Sequence, residues 1–307
     1  MELRDIEYFA VVAEHGNVGR ASEALGLSPP ALSKSLRRLE KSLQVKLVKR
    51  TPKGVELTSV GTALLAQVSR LRLALDDVAR EAADLSQGRA GHLRIGAGPS
   101  IVEHLLPAAY TALLKDAPNL TLEISVTDND VMAPALRNGE LDLIFNVIPP
   151  SPYEGLVQKH LFDDEWVVCA STHHPLAKRK RVTLTDLAQE RWVLPLPNNL
   201  SREFLMQQWL SRAFQDRGLP PPRVAVATRS VRLRLQTSAF SNLLSFTSRR
   251  ILRQAGPRFR LAEVPVKELR WRRPVGVIYR EGGYLSPAAR RLIEILKSTA
   301  QEISKDA

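Results

Sequence analysis

Several residue types are scarce in this chain of 307 residues. It has a single cysteine, Cys169, and only 6% of its residues are aromatic. One thiol excludes a disulfide within the chain and argues against a metal centre built on cysteines. Cys169 lies in the apolar run EWVVCA, which is typical of a buried strand, so we expect a core residue. No other sequence pattern indicates a metal site or an organic cofactor, and we expect neither.

Long hydrophobic runs are also absent. No stretch of about 18 uninterrupted apolar residues occurs, and the N-terminal MELRDIEYFA mixes acids with bases instead of forming an apolar signal core. These absences predict a cytoplasmic protein with no membrane partner. With 44% apolar residues, the chain can bury sizeable cores, and its length predicts at least two domains.

Acidic residues are outnumbered by basic ones. The chain has 44 Lys and Arg against 32 Asp and Glu, which gives a formal charge of +12. This excess favours a polyanionic partner. The total alone does not distinguish nucleic acid from an anionic membrane or from a solvated basic surface.

Residues 17–43 have the pattern of two helices joined by a tight turn. Asn17 can cap the first helix, and Gly26 suits the left-handed residue that ends it. Ser28 can cap the second helix. The two prolines that follow Ser28 occupy the first turn of that helix, where proline is tolerated.

The second helix has one apolar and one cationic side. Helical spacing puts four leucines on one stripe, which we expect to be core: Leu32, Leu36, Leu39 and Leu43. The opposite arc carries hydroxyl and cationic side chains: Ser33, Lys34, Arg37, Arg38 and Lys41. Such side chains can enter a major groove and neutralise phosphates. A solvated basic face is the alternative, because helix-turn-helix patterns also occur by chance.

A basic hairpin is predicted directly after these helices. In QVKLVKRTPKGVELT, two strand-like pieces flank a turn at Pro52 and Gly54 that carries several cations. A helix-turn-helix followed by a basic wing is a DNA-docking arrangement. The predicted DNA-binding set comprises Ser33 and Lys34 at base edges, Pro30 against a base or sugar, Arg37, Arg38, Arg50 and Lys53 at the backbone, and also Arg20.

Three runs in this region resemble the N-terminal signature of LysR-type transcriptional regulators. They are L-x4-YF-x2-VAE-x-G from residue 3, RASEALGLSPPALSKSLRRLE and LVKRTPKGVELTSVG. The resemblance implies a winged helix-turn-helix domain that binds double-stranded DNA. The chain departs from the family pattern at Pro29, Gln44 and Val48, where the family favours Gln, Gly and Phe. Pro29 removes a polar group that could reach DNA, and Gln44 raises the question of how the third helix ends.

Residues 59–86 have the pattern of one long helix with a heptad-compatible apolar stripe. The stripe consists of Leu64, Val68, Leu71, Leu75, Val78, Ala82 and Leu85. Its alternating steps of four and three predict a coiled-coil seam and hence a homodimer. An amphipathic helix packed on its own chain is the alternative. The resemblance adds that such dimers often pair into a homotetramer.

From residue 92 onward, apolar strand-like runs alternate with helical stretches, which predicts a parallel α/β sheet. The run LRIGAGPSI imitates a dinucleotide-binding turn but lacks the third glycine. No nucleophile elbow, phosphate-binding lysine loop or metal-spaced histidine pair is present, so we expect a binding domain and no enzyme.

Polar residues at predicted strand ends favour a cleft for a small polar or anionic effector. They are Ser100, Thr127, Asn146, Asn198, Ser201, Thr228 and Arg229. Simple helix capping is the alternative for each hydroxyl or amide.

The resemblance implies the remaining organisation. The expected parts are a DNA-binding domain at 1–58, a dimerisation helix at 59–87 and a periplasmic-binding-protein-like effector domain at 92–307, with subdomain I at 92–163 and 268–307 and subdomain II at 164–267. The expected function is effector-controlled regulation of transcription, with RNA polymerase as a further partner. The alternatives are a metabolic enzyme with a regulatory DNA-binding head and an architectural DNA-binding protein with no effector.

Overall fold

The computed structural model describes residues 2–52, 54–87, 91–102, 105–196 and 206–305. The chain forms two compact units, Met1–Arg80 and Glu81–Ala307. Within the described ranges, no helix is long and apolar enough to cross a membrane.

The first unit contains three short helices, a hairpin and the start of a long helix. The elements are α1 (Leu3–His15), α2 (Val18–Leu25), α3 (Pro29–Leu43), β1 (Val48–Thr51), β2 (Gly54–Leu57) and α4 (Ser59–Gln87). The Asn17 side chain caps α2 by accepting hydrogen bonds from the N–H groups of Gly19 and Arg20. Gly26 follows α2 at φ 64°, and Ser28 caps α3. The predicted helix-turn-helix is therefore present.

Helix α3 ends in a left-handed cap although it has no glycine there. Gln44 itself adopts φ 55°, and its N–H donates to the carbonyls of the preceding turn. The turn that follows is held by Glu40, whose carboxylate accepts from the Leu47 N–H at 2.9 Å and pairs with Lys46 at 2.8 Å. These bonds offset the cost of placing a side chain in the left-handed region, which is about 1 to 2 kcal/mol.

We call the hairpin of β1 and β2 the wing. The core of the first unit forms between α1, α2, α3, the wing and α4. Leu32, Leu36 and Leu39 are buried in it, whereas Leu43 is only partly buried. Val68 of α4 is buried in the same core, and Leu64 packs against it. The first turns of α4 therefore pack on their own chain, which was the alternative to a coiled-coil seam. Farther along α4, the stripe is exposed.

The second unit alternates strands with helices around a nine-stranded sheet. Its first part comprises β3 (His92–Ala97), α5 (Pro99–Val102), α6 (Leu106–Asp116), β4 (Thr121–Val126), α7 (Asn129–Arg137) and β5 (Leu143–Val147). A long strand β6 (Leu156–Ser171) leads to α8 (Leu184–Leu187), β7 (Arg191–Leu194), α9 (Met206–Gln215), β8 (Arg223–Ala227), α10 (Val231–Ala239), β9 (Leu244–Ser248), α11 (Arg249–Phe259) and β10 (Leu261–Glu263). The chain returns through β11 (Trp271–Arg280) and ends in α12 (Pro287–Lys305).

The sheet is mixed, so the predicted parallel pairing holds for only part of it. Strands β3, β4 and β5 are parallel, as are β7, β8 and β9. Strand β11, however, pairs antiparallel with both β5 and β6, and β9 pairs antiparallel with β6. The reason is that the chain leaves the first part of the unit along β6 and returns along β11, so these two paired strands run in opposite directions.

The apolar interior of this unit is divided along β6 and β11. Phe162 and Val275 belong to a cluster with α6 and α12. Trp166 and Trp271 belong to another cluster with α9. The two long strands therefore run from one core into the other.

Candidate functional site

A basic groove lies between helix α3 and the wing of the first unit. Its volume is about 200 Å³, and its lining includes Ser33, Arg37 and Arg50. The fold therefore brings together three residues of the predicted DNA-binding set. Lys34 and Pro30 are exposed on α3 near its N-terminus. Arg20 is exposed on α2, and Lys53 lies outside the described residues.

Arg38 differs from the other cations of α3 because a buried carboxylate holds it. Its Nε donates to Asp5 Oδ2 at 2.7 Å and its Nη2 to Asp5 Oδ1 at 2.6 Å. Asp5 is fully buried and also accepts from the Ser35 hydroxyl. The hydrogen bonds from Arg38 lower the pKa of Asp5, against the opposing effect of burial. The pattern of α3 did not reveal this pair, since its acid lies on α1.

The strand pairing of the second unit makes two sets of strand ends face one another. Val275 pairs with Val147 at the end of β5 and also with Phe162. Ser248, the end of β9, pairs with Trp166. Because β6 runs parallel to β5 but antiparallel to β9, the carboxyl ends of β5 and β9 point towards each other across residues 162–166. We call the region between these strand ends the cleft.

One side of the cleft is formed by the adjacent ends of β4, β3 and β5. Ser100, Thr127 and Asn146 all lie at these ends, so the fold brings three predicted effector residues together. Gly98 packs so closely on Asn146 that a Cβ at position 98 would lie 2.1 Å from Asn146 Oδ1. Asn146 in turn donates from Nδ2 to Asn129 Oδ1 at 2.9 Å.

Asn129 was missed by the sequence reasoning. Its own Nδ2 donates to the carbonyl of Val147 at 2.9 Å, which ties the start of α7 to the end of β5. The available signal was an amide placed directly after Asp128 at a strand end.

The opposite side of the cleft contains the ends of β7, β8 and β9. Thr228 follows β8, and its N–H donates to the carbonyl of Leu194 at the end of β7, at 3.1 Å. The Thr228 hydroxyl accepts from the Ser230 N–H at 3.2 Å, so it also serves in the turn before α10. Arg229 is exposed. Asn198 and Ser201 lie outside the described residues.

Asp164 lies at the middle of β6, between the two sets of strand ends. It is fully buried, and it accepts from the Trp166 indole at 2.8 Å and from the Ser248 hydroxyl at 2.6 Å. Arg273 of β11 reaches the same carboxylate at 3.5 Å. In the described part of the chain, no group of three or more His, Cys, Asp or Glu residues is arranged to hold a metal ion.

Two family models match the chain. Residues 3–62 match the bacterial regulatory helix-turn-helix protein, lysR family, and residues 86–301 match the LysR substrate binding domain. The two matches cover both compact units.

Similar curated proteins are transcriptional regulators and not enzymes. The regulator GbpR of Azospirillum brasilense is 27% identical over 98% of this chain and 87% of that protein. The dual regulator GltC of Bacillus subtilis is 26% identical over 96% of each chain.

Solved structures show the same fold. Full-length CbnR in complex with its target DNA superposes with a TM-score of 0.61, at 22% identity, over 97% of this chain and 100% of that chain. A full-length variant of OxyR from Pseudomonas aeruginosa gives 0.61 at 24% identity, over 98% and 95%. Together, the winged helix-turn-helix, the mixed α/β sheet and the two family matches show that the chain belongs to the LysR family of DNA-binding transcriptional regulators.

Proposed function

We propose that a small polar or anionic effector binding in the cleft controls this regulator. The observation that carries the proposal is the opposition of the two sets of strand ends across residues 162–166. Ligands of open α/β sheets bind beyond the carboxyl ends of strands, where unpaired N–H groups and small polar side chains are available. Ser100, Thr127 and Asn146 supply such groups on one side and Thr228 on the other, with Asn198, Ser201 and Arg229 as further predicted contacts.

The DNA-reading surface in this proposal is the exposed side of α3 together with the wing. Ser33 and Lys34 contact base edges, Pro30 packs on a base or sugar, and Arg20, Arg37, Arg50 and Lys53 contact the backbone. Arg38 contributes less than its position on α3 suggests, because Asp5 occupies its guanidinium. The absence of a glutamine at Pro29 shifts the reading of bases towards Ser33 and Lys34.

The exposed part of the α4 stripe supplies a dimer contact, so that two heads bind an interrupted inverted repeat. The assembly is a homodimer or, where two such dimers pair, a homotetramer. The protein acts in the cytoplasm, where its DNA is, and the altered complex acts on RNA polymerase. An effector changes this state only through a difference in its affinity for two arrangements of the protein.

Genomic footprinting of the purified full-length protein, followed by a metabolite screen guided by the neighbouring genes, tests the proposal. The readout is fluorescence anisotropy on the footprinted duplex with and without each compound. We expect at least one compound to change the affinity for DNA or the footprint. A Thr127→Val, Asn146→Leu double variant should bind DNA normally but lose the response. A screen in which no compound binds the wild-type protein would contradict effector control and favour an architectural role.

A further inference from the structure

The cleft floor contains two buried arginines with too few acceptors around them. Arg234 of α10 is only 2% exposed, and its Nε and Nη2 have no hydrogen-bond partner among the described residues. Arg273 of β11 is 9% exposed, and its Nε is likewise unpartnered within the described part of the chain. Burying a cationic donor without an acceptor raises the free energy of the folded state. The presence of these two arginines therefore requires an explanation.

The two guanidinium groups adjoin the same aromatic ring. Both lie over the ring of Trp166, with the Arg273 Cζ 4.2 Å and the Arg234 Cζ 5.7 Å from the ring centroid. Burial lowers the pKa of each guanidinium to about 10, and the charge of Arg273 also lowers the pKa of Arg234. Both groups remain cationic near neutral pH.

The one carboxylate that the described residues place beside Arg273 is already used by other donors. Asp164 accepts short hydrogen bonds from Trp166 and Ser248 and reaches Arg273 only at 3.5 Å. The Cys169 thiol, which faces Arg234, is no counter-ion, because burial raises its pKa to about 12. Among the described residues, Arg273 therefore has one distant carboxylate, and no ion pair involves Arg234.

We infer that Arg234 and Arg273, beside Trp166, form a buried subsite for an oxyanion at the floor of the cleft. The chemical class is a carboxylate, phosphate or comparable small anionic group. An anion would satisfy the guanidinium donors and neutralise the excess positive charge, whereas a water molecule could do only the first. Bidentate recognition by arginine suits these groups.

The inference rests on the proposed function where the anion is part of an effector, but a free inorganic anion would use the same donors. Arg234→Gln keeps a polar side chain and removes the charge. Arg232→Gln is the matched control, because Arg232 is exposed on the same helix and its loss changes the net charge equally. Arg273→Gln is a second variant that removes the other buried charge, in case Arg234→Gln fails to fold.

The first experiment uses bromide, acetate and phosphate as probes on the full-length protein. Thermal unfolding is followed at constant ionic strength, with a bulky sulfonate as the balancing anion. We expect the wild type and Arg232→Gln to be stabilised as the probe concentration rises. Arg234→Gln should not respond and should be at least as stable as the wild type without probe, since it lacks an uncompensated buried charge. Arg273→Gln should show a weaker response. A crystal grown in bromide should show an anomalous peak beside Arg234.

The second experiment identifies the source of the anion. An anionic effector found by the metabolite screen should bind Arg234→Gln at least about tenfold more weakly than Arg232→Gln, which corresponds to the loss of one charged hydrogen bond. Its neutral amide analogue should bind both variants equally. Bromide at Arg234 with no such difference would assign the subsite to a free anion. The inference is overturned if no probe separates Arg234→Gln from Arg232→Gln. Failure of effector control alone would leave the bromide result unchanged.

Discussion

Asp5 on α1 binds Arg38 on α3 through two hydrogen bonds of 2.7 and 2.6 Å. This pair joins the first helix of the first unit to α3, the helix that we propose reads DNA. It therefore fixes the angle at which α3 is presented, and it removes one cation from the surface available to phosphate.

We expect Asp5→Asn to lower the free energy of unfolding of the first unit by about 2 kcal/mol, because a charged hydrogen bond at a buried site is lost. Urea unfolding monitored by circular dichroism measures this. The matched control is Glu2→Gln, since Glu2 is exposed and contacts Arg38 only at 3.2 Å; its effect should stay below about 0.5 kcal/mol. Equal effects of the two variants would contradict the assignment.

The same pair predicts a dependence of stability on pH. The hydrogen bonds from Arg38 lower the pKa of Asp5 in the folded state below its ordinary value of 3.8. Its stabilising contribution is thus complete above the unfolded-state pKa and is lost as the pH falls through the folded-state pKa. When the free energy of unfolding is measured at decreasing pH, Asp5→Asn should lose less stability than the wild type as the pH falls through the pKa of Asp5.

A substitution at Arg50 tests contact of the wing with the DNA backbone. Arg50→Ala should weaken binding to specific and non-specific duplexes by similar factors, and it should reduce the log-salt slope by roughly 1. Lys115→Ala, on the exposed side of α6, is the control of equal charge. Titrations at several salt concentrations measure the slope. An unchanged slope would remove Arg50 from the DNA-binding set.

The exposed stripe of α4 tests dimerisation. Leu71, Leu75 and Val78 are 41%, 48% and 64% exposed, and an apolar stripe at this spacing favours a partner helix. Leu75→Asp should shift the protein from dimer to monomer in analytical ultracentrifugation and weaken binding to a two-half-site duplex. Ser69→Asp adds the same charge away from the stripe and should leave the dimer intact. A dimeric Leu75→Asp protein would place the contact elsewhere.

The reactivity of Cys169 follows from its burial. Because burial raises the pKa of this thiol to about 12, the thiolate that reacts is nearly absent at neutral pH. Iodoacetamide should modify Cys169 at least about a hundredfold faster in urea than in the native protein. Peroxide should not change DNA binding through this residue, although hydrogen peroxide-inducible activators are among the relatives. Rapid native alkylation would show that this part of the sheet opens readily.

Gly98 tests the polar side of the cleft. A side chain at this position would collide with Asn146 Oδ1 at 2.1 Å, so Gly98→Ala should displace the Asn146 amide from Asn129. We expect effector binding to weaken by about tenfold or more, at roughly 1.4 kcal/mol per factor of ten, with DNA affinity in the absence of effector unchanged. Gly155→Ala is a control for general backbone strain, since its φ is 70° but nothing lies within 4 Å of a Cβ at that position. Equal losses of effector binding in the two variants would contradict a local role of Asn146.

Local patterns predicted what depends on neighbouring residues in the sequence. The cap at Asn17, the left-handed Gly26, the proline start of α3 and the buried leucine stripe are each decided within a turn or two of helix. Residues 59–70 illustrate the limit of such patterns. Apolar residues at the same heptad spacing can pack against a partner helix or against the core of their own chain. Val68 packs against the core of its own chain.

Long-range pairing could not be derived from the same patterns. The first part of β6, LVQKHLFDDE, carries too many charges to resemble a buried strand, and only its pairing with β11 makes it one. The Asp5–Arg38 pair joins residues 33 positions apart. Arg234 lies in the run VRLRLQ, and nothing adjacent in the sequence indicates that this face of α10 is covered.

Strands β6 and β11 both extend from one apolar core of the second unit into the other. They are therefore the direct structural connection between these two cores. Any turning of one core relative to the other must therefore twist residues 163–165 and 272–274 rather than bend a loop. Extended backbone that is paired to a neighbouring strand resists bending but yields to small changes in twist. A ligand could thus transmit only a limited rotation, and the side chains packed around Asp164 would determine its size.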